Sequence, residues 1–151
     1  MKSSLPNVEM LKFRIGLSGQ YWDKRPAYSI SINGLSCKQG MITAASGVTE
    51  FIEFELEVPE GDNNLEIRLE NKEPSDTVQS EDKTSIVNDL LLNIDSIELD
   101  DIDLGSLKWS ESKYVSDSDH PTLSGCINLG WNGTYTLAFS SPFYLWLLEN
   151  M

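Results

Sequence analysis

The sequence is short of basic residues, and its apolar runs are brief. Eleven Lys and Arg stand against 24 Asp and Glu among 151 residues, which gives a formal net charge of −13. Nucleic-acid backbones and anionic membrane surfaces both require clustered positive charge, so the composition argues against either partner. No run is long enough to cross a bilayer, and the opening residues lack the apolar core of a signal peptide. We therefore expect a protein made in the cytoplasm.

Cysteine is scarce as well. Cys37 and Cys126 are the only two. They form no Cys-x-x-Cys pair, which excludes the usual metal-binding and redox motifs. Free thiols are the expectation, and whether the two residues meet in the fold stays open.

The motifs of catalysis are also missing. The one histidine, His120, stands in a loop rich in Asp and Ser, where a surface position is the ordinary interpretation. The serines lack a Gly-x-Ser-x-Gly elbow, and neither a glycine-rich phosphate loop nor zinc-ligand spacing occurs. The sequence therefore predicts a protein that is not an enzyme.

What the chain does contain is a series of short strand-like runs that alternate with turns. The runs fall at 11–17, 28–32, 41–45, 51–58, 65–70 and 134–139. Asn33-Gly34 follows the second of them and predicts a tight hairpin. The clearest alternation lies in 51–58, where apolar and acidic residues take turns, as in a strand with one buried face. Its apolar positions are Ile52, Phe54, Leu56 and Val58, and its acidic positions are Glu53, Glu55 and Glu57.

One of these runs changes phase. Leu90, Leu92 and Ile94 share a strand face, but the next apolar positions, Ile97 and Leu99, are one residue out of step. Strand side chains repeat every two residues, so this shift predicts a bulge or bend.

Together the runs predict an all-β protein. About seven or eight short strands separated by turns are typical of an antiparallel β-sandwich, and we expect a jelly roll formed by a single domain over 1–151. The apolar tail at 142–149 is either a last core strand or a short helix that begins at Pro142.

Oxygen-bearing side chains gather in the loop that precedes the bent strand. Calcium takes six to eight oxygen ligands, and the candidate ligands are Asn71, Asp76, Asn88 and Asp89, with Glu73 and Thr77 nearby. In a sandwich, the two ends of this loop could converge at one rim. The alternative is that these residues cap turns and keep the rim soluble.

Aromatic residues in the turns are candidates for binding a sugar or a partner. Tyr21 and Trp22 lie between two predicted strands, Trp131 lies in the Gly-Trp-Asn-Gly turn, and Trp109 lies in an irregular segment. An exposed ring can serve as a platform for a sugar. Core packing is the alternative for each, and we expect it for Trp146.

Part of the sequence resembles the calcium-dependent xylan-binding modules. The resemblance rests on Ser-Ile-Ser-Ile-Asn-Gly, Thr-Glu-Phe-Ile-Glu-Phe-Glu-Leu, Asn-Asn-Leu-Glu-Ile-Arg-Leu-Glu-Asn and Asn-Asp-Leu-Leu-Leu-Asn-Ile-Asp-Ser-Ile-Glu-Leu-Asp, within about residues 28–103. It implies a jelly roll that binds a glycan through calcium. Asn88-Asp89-Leu90 stands where that family has Asp-Arg-Asn-Leu, so the arginine is missing, and the loop is longer.

The whole chain, including the end Ser-Pro-Phe-Tyr-Leu-Trp-Leu-Leu-Glu-Asn, also resembles small virion-associated proteins of marine tailed bacteriophages. This resemblance implies a structural protein of the virion, either a capsid decoration or a tail-fibre component. Its partners would be other virion proteins or sister subunits, met through the apolar 143–148 segment. The alternative function is a calcium-dependent carbohydrate-binding module that attaches to cell-surface glycans.

Overall fold

The computed structural model describes residues 8–150 and places most of them in antiparallel β-strands. Two short helices, α1 (Leu107–Ser110) and α2 (Phe143–Asn150), and a 3-10 turn at Pro74–Asp76 complete the regular structure. The strands are β1 (Val8–Gln20), β2 (Ala27–Ile32), β3 (Leu35–Met41), β4 (Glu50–Pro59), β5 (Gly61–Leu69), β6 (Val78–Gln79), β7 (Ile86–Asn88), β8 (Leu91–Leu99), β9 (Ile102–Asp103), β10 (Ser112–Ser116), β11 (Leu123–Ser124), β12 (Asn128–Leu129) and β13 (Gly133–Ser141).

The strands form two large sheets and one small ladder. The first sheet has the order β12-β8-β1-β4, with β9 also paired to β8, and the second has the order β11-β10-β13-β5-β2-β3. The ladder joins β6 to β7, in the long connection between β5 and β8. Side chains from both sheets meet in one core, where Phe13 of β1 packs edge-on against Phe139 of β13. The arrangement is the all-β sandwich that the alternation predicts.

Alternation along the strands decides which side chains enter this core. On β4, Ile52 and Val58 are buried, while Glu53, Glu55 and Glu57 are exposed. The predicted two-faced strand is therefore confirmed. Its acidic face lies on the solvent side of the first sheet, where charged side chains stay hydrated.

The predicted bulge lies in β8. Gly16 of β1 pairs with Ser96, and the next residue, Leu17, pairs with Ile94, so Asp95 has no partner across the ladder. The extra residue changes the phase of the strand. Because of it, Ile94 and Ile97 are both fully buried despite their odd spacing.

The predicted hairpin at Asn33-Gly34 is also confirmed, but its second strand lies at Leu35–Met41 and not at the predicted 41–45. Both turn residues have positive φ, 52° and 84°, and β3 begins directly afterwards at Leu35 rather than at Met41. β3 is an edge strand whose residues are mostly exposed, so it carries no apolar alternation. No period-two pattern of apolar residues therefore marks this strand in the sequence.

Of the two alternatives for the chain's tail, the structure has the helix. α2 follows Pro142 and buries Phe143 and Trp146 against β13, which confirms Trp146 as a core residue. The carboxylate of Glu9 accepts hydrogen bonds from the Phe143 amide at 3.0 Å and from the Ser141 hydroxyl at 2.7 Å. Neither α2 nor any other helix in residues 8–150 has the length and apolarity to span a membrane.

Candidate functional site

Three loops meet at one end of the second sheet and enclose a cleft of about 380 Å³. The loops lie together because three neighbouring strands have their ends at the same level of the sheet. Gly133 at the start of β13 pairs with Leu69 at the end of β5 and with Ser116 at the end of β10. A side chain at Gly133 would clash, since a Cβ would lie 2.4 Å from the carbonyl oxygen of Val115. The cleft is lined by Lys72, Glu73, Pro74, Thr77, Asp117, Ser118, His120, Gly130, Trp131 and Asn132.

Trp131 lies at the centre of a stack of three rings. Its indole lies 5.6 Å from the ring of Tyr114 and 4.1 Å from the ring of His120, with interplanar angles of 15° and 10°. Tyr114 is fully buried and His120 is exposed, so the two rings cover the inner and outer sides of the indole. The Tyr114 hydroxyl donates to the Trp131 carbonyl, and burial raises the pKa of this phenol. Tyr114 thereby holds the inner face of the Trp131 indole against the core.

A reciprocal pair of hydrogen bonds closes the floor of the cleft. The Lys72 amide donates to Oδ1 of Asn132 at 2.8 Å, and Nδ2 of Asn132 donates back to the Lys72 carbonyl at 2.9 Å. The side-chain amide of Asn132 is therefore occupied as both donor and acceptor. Asn132 binds the 72–77 loop to the turn that carries Trp131.

The ammonium group of Lys72 links the same two loops to the start of β8. Its Nζ lies 2.7 Å from Oδ1 of Asp89 and 2.7 Å from the Gly130 carbonyl, and the two side chains are 12% and 15% exposed. The Thr77 hydroxyl and the Leu90 amide donate to the same oxygen at 2.8 Å each. Burial alone would raise the pKa of Asp89, but the hydrogen bonds from Lys72, Thr77 and Leu90 outweigh burial and lower it.

A second lysine fixes the outer part of the 72–77 loop. Nζ of Lys24 lies 2.9 Å from both Asp76 and Glu73, and the hydrogen bond to Asp76 is the main cause that raises the pKa of Lys24. The Asp76 side chain is 7% exposed and also accepts from the Glu73 amide. Trp22 donates from its indole to the Asp76 carbonyl at 2.9 Å, which ties the Tyr21-Trp22 turn to this loop.

Three of the four predicted calcium ligands bind other groups of the protein in this arrangement. Asp76 and Asp89 each bind a lysine, and Asn71 bridges the Ala27 amide and the Arg25 carbonyl. Asn88 lies in β7. Within residues 8–150, no three His, Cys, Asp or Glu side chains group as a metal site would need. Because lysine ammonium groups bind two of these carboxylates, the four side chains as arranged do not fit a calcium ion. The calcium site predicted from the sequence stays a prediction that calcium titration would test.

The four predicted aromatic residues are divided among different places. Trp131 lines the cleft, and Trp22 is 48% exposed beside its rim. Tyr21 does not line the cleft, because its hydroxyl donates to the Ala44 carbonyl and the Arg25 guanidinium lies over its ring at 5.1 Å. Trp109 is 44% exposed in α1, which precedes the far end of β10.

Sequence reasoning missed several residues of the cleft. Asp117 is held by Arg68 at 2.7 Å, and His120, interpreted from sequence as an ordinary surface residue, covers Trp131. The available signal was the Gly130-Trp-Asn-Gly133 turn, since a tryptophan between two turn glycines stands on the surface of a strand end. Nothing in the sequence indicated which other loops the strand pairing would bring to it.

Two packed antiparallel sheets with a cleft among the loops at one end form the jelly-roll-like fold of carbohydrate-binding modules. A solved structure described as vCBM60 in complex with galactobiose matches 83% of this chain and 96% of its own, with a TM-score of 0.52 and 9% sequence identity. At that identity the likeness is one of fold, and it confirms the predicted fold class. No family model and no curated protein sequence matches the chain.

Proposed function

We propose that this protein is a non-catalytic carbohydrate-binding module that holds a sugar in the cleft beside Trp131. One observation carries the proposal: the loops at one end of a carbohydrate-binding-module fold enclose a cleft with an aromatic ring in its wall. Concave sites that combine an apolar surface with a few fixed polar groups are the usual places where small ligands bind. The similar structure, vCBM60, holds galactobiose.

The polar groups around Trp131 suit a neutral sugar. Arg68 holds Oδ2 of Asp117, so the other carboxylate oxygen can accept a hydrogen bond from a sugar hydroxyl. Ser118 is exposed at the same wall, and the Glu73 side chain is 72% exposed across the cleft. The sugar would place its apolar ring face on an aromatic ring and its hydroxyls toward these side chains.

Calorimetric titration with galactobiose, followed by a glycan array, tests this proposal. We expect Trp131→Ala to abolish binding and Asp117→Asn to weaken it about tenfold, since each removes a direct contact. Trp109→Ala is the matched control, because that tryptophan is exposed in α1 and should leave binding unchanged. A Trp131→Ala variant that keeps its thermal midpoint and binds sugar like the wild type would refute the assignment.

The absence of catalysis can be checked in the same samples. The proposed module binds and releases its ligand unchanged. Chromatography of galactobiose after long incubation with the protein should therefore recover the intact disaccharide.

A second candidate function is the virion role, as a capsid decoration or tail-fibre component. The observation in its favour is the outer face of α2, where Tyr144, Leu145 and Leu148 are 58%, 58% and 69% exposed. Apolar residues grouped on one face are typical of contact surfaces with other proteins. Sedimentation of the wild type and of a Leu145→Lys, Leu148→Lys variant tests for sister subunits, and binding to purified virions tests for the particle.

A further inference from the structure

The face of Trp131 on which a sugar would stack is covered by another side chain. Tyr114 is fully buried on the inner side of Trp131, so only the outer side of the indole could meet a ligand. That side carries the imidazole of His120, nearly parallel to the indole at a centroid distance of 4.1 Å.

A pyranose that stacks on an aromatic ring needs the same space. Its flat C–H face packs parallel to the ring at about 4 Å, the ordinary contact distance between carbon atoms. His120 and the sugar therefore cannot occupy the outer side of Trp131 together. Resting on the proposed function, we propose that His120 is a displaceable cover over the sugar-stacking face of Trp131.

The attachment of the loop allows this displacement. At its base, the Asp117 amide donates to the Asn132 carbonyl at 3.0 Å, and the Asp117 carboxylate binds Arg68 at 2.7 Å. At its tip, His120 is exposed and makes its ring contact with Trp131 but no hydrogen bond to any other residue in 8–150. The tip can swing away while the base keeps Asp117 at the wall of the cleft.

The cover sets a threshold for ligands. A sugar must offer enough flat apolar surface to replace the imidazole, while a small acyclic polyol has no flat C–H face and leaves the cover in place. If the sugar instead stacked on the outer face of His120, the histidine would be part of the platform. The two arrangements predict effects of opposite sign when His120 is changed.

Calorimetric titration of galactobiose into three variants separates them. His120→Ala removes the competitor and should tighten binding about two- to tenfold, the range of one aromatic pair. His120→Trp covers the indole more strongly and should weaken binding. Thr122→Ala changes a neighbouring exposed residue of the same loop and should match the wild type. The opposite order, with Ala weaker and Trp tighter, would overturn the proposal.

A measurement without sugar makes the cover testable on its own. Acrylamide quenching of the fluorescence contributed by Trp131, obtained by subtracting a Trp131→Phe background, should increase in His120→Ala. Unchanged quenching would overturn the cover whatever the sugar data show. Increased quenching, with no binding of galactobiose or of any arrayed glycan to any variant, would keep the cover and refute the proposed sugar function.

Discussion

At the scale of single residues, Asp89 is the most heavily bonded side chain of the cleft loops. One of its oxygens accepts from Lys72, Thr77 and Leu90. Asp89→Asn removes the charge opposite a lysine that is only 12% exposed. We expect the free energy of unfolding to fall by about 2 kcal/mol and the thermal midpoint by roughly 4–8 °C, because the ammonium group loses its counter-charge. Calorimetric unfolding measures this loss.

The acid dependence of the same variant provides an independent test. The folded pKa of Asp89 lies below its ordinary value near 3.9, so its contribution to stability is complete above that pH and is lost as the pH falls through the folded value. The difference in midpoint between wild type and Asp89→Asn should be largest near neutrality and shrink below about pH 4. A difference that does not depend on pH would contradict the role of the charge. Glu81→Gln, exposed in the same connection, is the matched control.

Many residues of the site could be predicted from the sequence, but not which of them bond to one another. The oxygen-rich loop and Trp131 stand out in the sequence because their residue types suit turns and binding surfaces. The bonding partners within the site do not stand out, because Lys72 and Asp89 are 17 residues apart in the sequence and Lys24 and Glu73 are 49 apart. Which carboxylate meets which lysine depends on the register of the sheets, and no local pattern encodes it.

At the scale of elements, β8 allows a deletion test. Removing Asp95 would bring Ile94 and Ile97 into one regular alternation, and the known cost is the hydrogen bond from the Thr49 hydroxyl at 2.7 Å. We expect this deletion to fold cooperatively and lose about 1 kcal/mol. Urea unfolding compares the variants.

Deletion of Asn93 is the matched control. It turns the side chain of Ile94 away from the core and should cost about 2–3 kcal/mol through lost burial. If both deletions cost the same, the bulge would not be what keeps the two halves of β8 in phase.

Strands with a buried face were predictable, even at a sheet edge as in β4, and the mostly exposed strand β3 was not. β4 and β8 alternate because one side of each enters the core, and the phase shift in β8 is visible in the sequence itself. β3 packs few side chains inward, so nothing in its sequence demands a period of two. For α2, the apolar residues suited a buried strand as well as a helix, and only its packing on β13 distinguished them.

At the scale of the whole molecule, thermal unfolding with millimolar calcium or with a chelator tests the predicted metal site. A ligand that binds only the folded state raises the thermal midpoint. We expect no shift, because calcium would have to displace the ammonium groups of Lys24 and Lys72 from Asp76 and Asp89. A rise that Asp89→Ala abolishes would instead establish a calcium site.

The position of β1 has a consequence for how the chain reaches this structure. β1 is one of the inner strands of its sheet, yet it ends at Gln20, while its two neighbours end at Pro59 and Leu99. A nascent chain shorter than 99 residues therefore leaves one edge of an apolar strand without a partner. Contacts between residues far apart in sequence close slowly. During synthesis, that open edge is where the growing polypeptide is most exposed to pairing with another copy of itself.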